Sequence, residues 1–241
     1  MAELHEYADF LHERRERIVE LIGAACARAG RDADEVAAIA VSKTVGADEV
    51  RLAHDAGWSR FGENRPQELV RKSEALVDLI EAGAIRFDMI GNLQKNKINQ
   101  VLGRAALVHS ISSAHLAEGV SARAEARGIA QPVLIEANVS GEASKSGFSP
   151  DELRACAESL AALPGIAIEG LMTMAPAHDA DAARATFSGL RELGEELRAR
   201  TGLALATLSF GMSDDFEIAV EEGSTCLRLG RVVFDRGYEL V

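Results

Sequence analysis

Ala37-Ala38-Ile39-Ala40-Val41-Ser42-Lys43-Thr44 is an apolar run of strand length that ends on one lysine, just before Gly46. Small and β-branched residues with no polar break read as a strand buried on both faces, as in a parallel sheet. Lys43 then falls at the carboxyl end of that strand, where parallel α/β folds build their sites. Two readings follow. A lysine held against an apolar wall has a desolvated amine suited to condense with an aldehyde, whereas a lysine at a strand end also snorkels readily to solvent.

Outward from this strand the chain repeats one unit. Residues 1–30 carry apolar positions at helical spacing, with Leu4, Leu11, Ile18, Leu21 and Ile22 as the buried stripe and Gly30 as the stop. A helix is predicted over 47–56 and a second strand over 59–64. Pro66 opens a helix that runs to about residue 81. Further strands are predicted over 85–91, 105–111, 132–139, 166–174, 203–210 and 225–229, with a helical pattern after each but the last, which ends in an apolar turn. An unbroken βα alternation of eight strands predicts an α/β fold, a single (β/α)8 TIM-type barrel. An open doubly wound sheet is the alternative. We read residues 1–241 as one domain, with the helix over 1–30 packed outside the barrel.

The 241 residues are 47% hydrophobic and 27% charged, enough for a sizeable core. A net charge of −12 argues against nucleic acid or an anionic membrane as the main partner. No run approaches membrane-spanning length and the N-terminus lacks a signal peptide's apolar core, so a cytoplasmic protein is expected. Cys26, Cys156 and Cys226 form no CxxC pair, and the six histidines are scattered, so no metal site is expected.

Strand seven carries a second feature. Leu208-Ser209-Phe210-Gly211-Met212-Ser213 places two serines and a glycine before a helix N-terminus. Barrels often bind phosphate there, although a serine N-cap explains the same residues. Gly230 at the end of strand eight would admit a phosphate close to the backbone. Asp214 and Asp215 would repel it, so they are expected to point outward and complement the helix dipole. Arg228 should alternate into the barrel mouth, where it needs an acceptor: an unprotonated aromatic ring nitrogen, or a barrel acid such as Glu136 or Glu169. The loop 141–147 lacks the leading glycine of a Walker loop. Lys95, Lys97 and Arg104 read as solvated surface.

Taken together, these motifs resemble the pyridoxal-phosphate-binding, alanine-racemase-N-domain-like proteins of the YggS/PROSC type, the pyridoxal phosphate (PLP) homeostasis family. The match rests on Ala40-Val41-Ser42-Lys43-Thr44, Phe61-Gly62-Glu63-Asn64 with Gln67-Glu68, and Ile90-Gly91-Asn92-Leu93-Gln94 with Asn96-Lys97. It extends through Val108-His109-Ser110-Ile111, Asn138-Val139-Ser140-Gly141-Glu142, Ser144-Lys145-Ser146-Gly147 and Gly170-Leu171-Met172-Thr173-Met174. It closes on Leu208 to Asp215 and Arg228-Leu229-Gly230. The resemblance implies PLP carried as an internal aldimine on Lys43, Arg228 facing the pyridine nitrogen, and Asn64 beside the ring. Ser213 and the Gly230 backbone would hold the phosphate, with Ser209 and Met212 in the same wall. It also implies a role in vitamin B6 and amino-acid homeostasis without an established reaction, and PLP-dependent apoenzymes as transient partners.

Three departures stand out. Arg231 occupies the place of a small hydroxyl residue, so it either supplies counter-charge to the phosphate or points away. Phe87-Asp88-Met89-Ile90-Gly91 stands where the resembling proteins often have Trp-His-Phe-Ile-Gly, and Asp235 replaces a glycine. A PLP-dependent amino-acid racemase and an aldolase-type lyase are the alternatives to a carrier. Racemisation needs an acid/base group on each face of the substrate carbon. In the resembled racemases one is a tyrosine from a second domain; here Tyr7 and Tyr238 are the two tyrosines, both near the chain ends. A monomer is therefore expected.

Overall fold

The computed structural model describes residues 2–240, and side chains from residue 4. Eight parallel strands close a barrel in sequence order. They are β1 (Ala37–Val41), β2 (Arg60–Glu63), β3 (Arg86–Met89), β4 (Val108–Ile111), β5 (Gln131–Glu136), β6 (Ile166–Met172), β7 (Thr207–Ser209) and β8 (Cys226–Leu229). β1 joins β8 with Ala37 opposite Cys226 and Ile39 opposite Arg228, which leaves no open sheet edge. The barrel expected from the alternation is the one observed.

The helices are α1 (Ala2–Ala29), α2 (Ala47–Asp55), α3 (Pro66–Ala75), α4 (Val77–Glu81), α5 (Ile98–Val101), α6 (Ala114–Glu125), α7 (Pro150–Ala161), α8 (Ala180–Thr201), α9 (Phe216–Glu221) and α10 (Arg231–Phe234). The pleat divides each strand between two cores. Along β5, Val133 and Ile135 join the large apolar layer shared with the helices. Leu134 instead packs with Leu107 and Met172 in a small separate cluster. Leu134, and Glu136 two residues on, therefore point into the barrel.

α1 lies outside the barrel against α2, α9 and α10. Its buried stripe is Leu11, Ile18, Ile22, Ala25 and Cys26; each of the large aliphatic residues contributes about 1.5–3 kcal/mol by leaving water. Leu21 is half-buried, and Leu4, placed in the stripe by spacing alone, is 56% exposed. Tyr7 donates to Phe234 O and Arg14 to Tyr238 O, tying the helix to the C-terminal segment.

Two predicted elements are shorter than their patterns. The helix expected over 66–81 breaks at Leu76 (φ −120°, ψ 25°), which turns its side chain fully into the core. The strand expected over 203–210 pairs only at Thr207–Ser209. Leu205 adopts φ 40°, and Arg198 reaches back from α8 to bond the carbonyls of Ala204 (2.9 Å) and Leu205 (3.0 Å). With those acceptors satisfied by a side chain, the segment gains nothing from sheet pairing.

Candidate functional site

The carboxyl ends of the strands surround a cavity of about 670 Å³. Lys43 follows β1 at its rim, and Asn64 follows β2. From the opposite side come Met212, Ser213, Arg228, Gly230 and Arg231. Seven of the eight residues singled out from the sequence thus meet around one space.

Lys43 is exposed, in line with the solvent-facing reading of its strand end and not with the enclosed one. Its backbone is held from behind. Ser42, Glu63 and Lys72 are all buried. Ser42 Oγ donates to Glu63 Oε1 at 2.6 Å, and Lys72 Nζ donates to Ser42 O at 2.5 Å and to Glu63 Oε1. The sequence reading missed Lys72. The available signal was its position: Pro66, Leu69 and Lys72 occupy one buried face of α3. A lysine in an apolar stripe needs an internal partner.

Asn64 is fixed by a close approach. A Cβ on Gly91 would lie 2.2 Å from Asn64 O, so only glycine admits the β2 end at this distance. Ser110 donates to Gly91 O at 2.6 Å and anchors the same turn.

The turn after β7 presents free hydrogen-bond donors to the cavity. Gly211 adopts φ 94°, and a Cβ there would meet Ala219 Cβ at 2.4 Å. Ser213 Oγ accepts the Val232 N–H at 3.1 Å, which leaves its hydroxyl proton free to donate. The Gly230 and Arg231 N–H groups lie at the open end of α10 and have no hydrogen-bond partner among the described residues.

The acids here differ from expectation. Asp214 and Asp215 both line the cavity. Asp215 folds back to accept the Met212 N–H at 2.6 Å, and burial raises its carboxyl above the ordinary value. Asp214 is captured by Arg231 Nη2 at 2.5 Å and by the Tyr238 hydroxyl at 3.0 Å. Arg231 therefore contributes backbone to the cavity while its guanidinium covers Asp214. Burial, followed by the Asp214 contact, pushes the Tyr238 phenol up to about 12.

Arg228 is 5% exposed and pairs with no carboxylate among the described residues. Its Nη1 donates to Ser209 O (2.8 Å) and Ser209 Oγ (2.6 Å), and its Nη2 to Thr173 O (3.1 Å). Of five guanidinium N–H groups, three are engaged, so Nε–H and one Nη2–H stay without an acceptor among the described residues. Burial lowers the guanidinium from its ordinary value, opposed by Cys226, Asp215 and Glu136. The salt bridge to Glu136 or Glu169 weighed from the sequence is not formed. Both Glu136 carboxylate oxygens lack a partner, and burial pushes that carboxyl up to about 7. Ser209, expected in the cavity wall, is 0% exposed and sits one layer below as the support of Arg228. Lys145 is tied to Met174 O and Glu142, outside the cavity lining.

The site thus joins a lysine after the first strand of a closed parallel βα barrel to a serine–glycine turn after its seventh. Residues 24–235 match the family described as alanine racemase, N-terminal domain. The corresponding barrel of alanine racemase from Corynebacterium glutamicum superposes with a TM-score of 0.70 at 16% identity, covering 96% of this chain and 63% of that one, a likeness of fold alone. A pyridoxal phosphate homeostasis protein of Aquifex aeolicus is 41% identical over 223 residues, 92% of this chain and 96% of its own. The structure of PipY of Synechococcus elongatus with PLP bound has a TM-score of 0.79 at 32% identity, covering 93% of this chain and 99% of that one. The chain belongs to the alanine racemase N-terminal domain family, and within it to the pyridoxal phosphate homeostasis proteins.

Proposed function

We propose that this chain binds pyridoxal 5′-phosphate in the barrel cavity. In this reading it serves PLP (vitamin B6) and amino-acid homeostasis as a monomeric cytoplasmic carrier, one barrel unit over residues 1–241, that meets PLP-dependent apoenzymes transiently. The observation that carries the reading is Arg228. A buried guanidinium with two unanswered N–H groups and no carboxylate partner fits a ring nitrogen that accepts a hydrogen bond.

When bound, the cofactor supplies an aldehyde that an amine captures. Lys43 is the amine at the cavity rim, and Asn64 flanks the ring. Ser213, with the Gly230 and Arg231 N–H groups, grips the phosphate, and Met212 closes that side. The family relationship and the PLP-bound relative support this assignment of the donor set.

The same residues argue against racemase turnover. An arginine donor keeps the ring nitrogen unprotonated, which weakens the ring as an electron sink. Tyr238, the tyrosine beside the phosphate turn, has its phenol pushed up to about 12 and makes a poor base near neutral pH. Tyr7 is engaged with Phe234 O on the outer helix.

The test is to add PLP to the purified protein, record its visible absorbance band, and reduce with borohydride. We expect the band to vanish in Lys43→Ala, and the reduced adduct to map to the Lys43 peptide. A band that survives Lys43→Ala, or an adduct on another lysine alone, overturns the reading. Steady conversion of L-alanine at the rate of a true racemase overturns the carrier role.

A further inference from the structure

Below the cavity floor a run of buried polar groups crosses the barrel from β2 to β8. Arg60 Nε donates to Asp88 Oδ2 at 2.8 Å, and His109 Nε2 lies 3.1 Å from the same oxygen. His109 Nδ1 lies 3.0 Å from Ser209 Oγ, which accepts from Arg228 Nη1 at 2.6 Å. Asp88, His109 and Ser209 are each 0% exposed, so no bulk water can substitute for a missing partner. None of these contacts has a role in the site as described, apart from Ser209 beneath Arg228.

The chemistry of the donors fixes the direction of the chain. Asp88 Oδ2, already holding Arg60, can only accept, so the imidazole proton must sit on Nε2. Nδ1 then carries a lone pair, and the Ser209 hydroxyl must point its proton at it. The Ser209 oxygen is left to accept from Arg228. Burial also lowers the His109 imidazole from its ordinary value, which favours the neutral ring this scheme requires. The charged groups that act on it are Asp88 from β3, Arg228 from β8 and Arg60 from β2; Cys226, Glu136, Asp215 and Glu169 face those two arginines.

We propose that Asp88, His109 and Ser209 form a one-directional hydrogen-bond chain that orients Arg228, so that one of its two free N–H groups is presented to the ring nitrogen of the ligand. Asp88 and His109 are positioning residues: they act through Ser209 and touch no ligand. Without them the Ser209 hydroxyl is free to rotate, and Nη1 keeps only the Ser209 carbonyl as a fixed acceptor, which loosens the guanidinium. The effect on the ligand rests on the cofactor assignment above; the direction of the chain does not.

Two measurements decide it. In ligand-free protein carrying ¹⁵N-labelled histidine, His109 should show the neutral Nε2–H tautomer from about pH 6 to about pH 9. An Nδ1–H tautomer or an imidazolium in that range overturns the chain. For the ligand arm, binding is compared between pyridoxine 5′-phosphate, which has no aldehyde, and its analogue with carbon in place of the ring nitrogen. Wild type should prefer the nitrogen ligand by about ten- to hundredfold, the worth of one charged hydrogen bond. His109→Leu and Ser209→Ala should shrink that preference to within about threefold. His109→Gln should keep it, because its amide supplies an N–H to Asp88 and a carbonyl to Ser209. A His109→Leu or Ser209→Ala variant that weakens both ligands alike, or that retains the preference, overturns the proposal. If wild type binds neither ligand, the cofactor assignment fails, and the imidazole signal alone decides the chain.

Discussion

Arg231 Nη2 bonds Asp214 Oδ2 at 2.5 Å, and the guanidinium lies over the Tyr238 ring at 5.5 Å. Arg231 therefore answers an acid at the cavity wall, and Asp214 is a charge that would otherwise repel a phosphate. Arg231→Ala should weaken PLP binding about two- to fivefold, the scale of an exposed ion pair, and less at high salt. Asp214→Asn should tighten binding and make Arg231→Ala nearly silent. Equal weakening by Arg231→Ala in both backgrounds, measured by titration, would show that the guanidinium grips the phosphate itself.

Glu136 sets a pH dependence. Its carboxyl rises from 4.5 to about 7 on folding, because burial disfavours the charged form and Arg228 offsets this only in part. Between those values the folded state holds the proton that the unfolded state has released, so stability falls as pH rises from about 4.5 to about 7. The full cost, on the order of 3 kcal/mol at most, applies above that window. Glu136→Gln should therefore be more stable than wild type at pH 8 and nearly equal at pH 5. Denaturation midpoints that differ by the same amount at both pH values would refute this.

Lys72 and Glu63 form a pair with 1% and 0% side-chain exposure behind Lys43. Lys72→Met leaves Glu63 charged, buried and unpaired, and should cost about 3–5 kcal/mol in urea denaturation. Replacing both, Lys72→Met with Glu63→Leu, should recover at least half of that loss, since the uncompensated charge is gone. A single-variant loss below about 1 kcal/mol would mean the pair is solvated.

Much of this was legible in the residues. The strands stood out because parallel strands buried on both faces are continuous apolar runs, and the helices between them carry their own period and stops. The cavity residues followed because the carboxyl end of each strand is a defined place in a βα barrel. The misreadings have local causes. Leu4 has the right spacing but lies beyond the surface that α1 covers. Residues 203–206 are apolar enough for a strand, yet Arg198 satisfies two of their carbonyls. His109 looked like one of several scattered histidines, since its partners Asp88 and Ser209 are 21 and 100 residues away in the chain.

Local pattern alone placed Lys43 and Arg228 at the barrel mouth, because side chains alternate with a period of two whatever the rest of the chain does. Only closure of the barrel decided what those residues meet. It brought β4 and β7 within 3.0 Å at His109 and Ser209, turned Arg231 onto Asp214, and left Arg228 with two N–H groups unanswered. The reason is burial. Polar groups withdrawn from water must take whatever partner the packing supplies, and that partner is set by distance in space, which the linear order of residues does not encode.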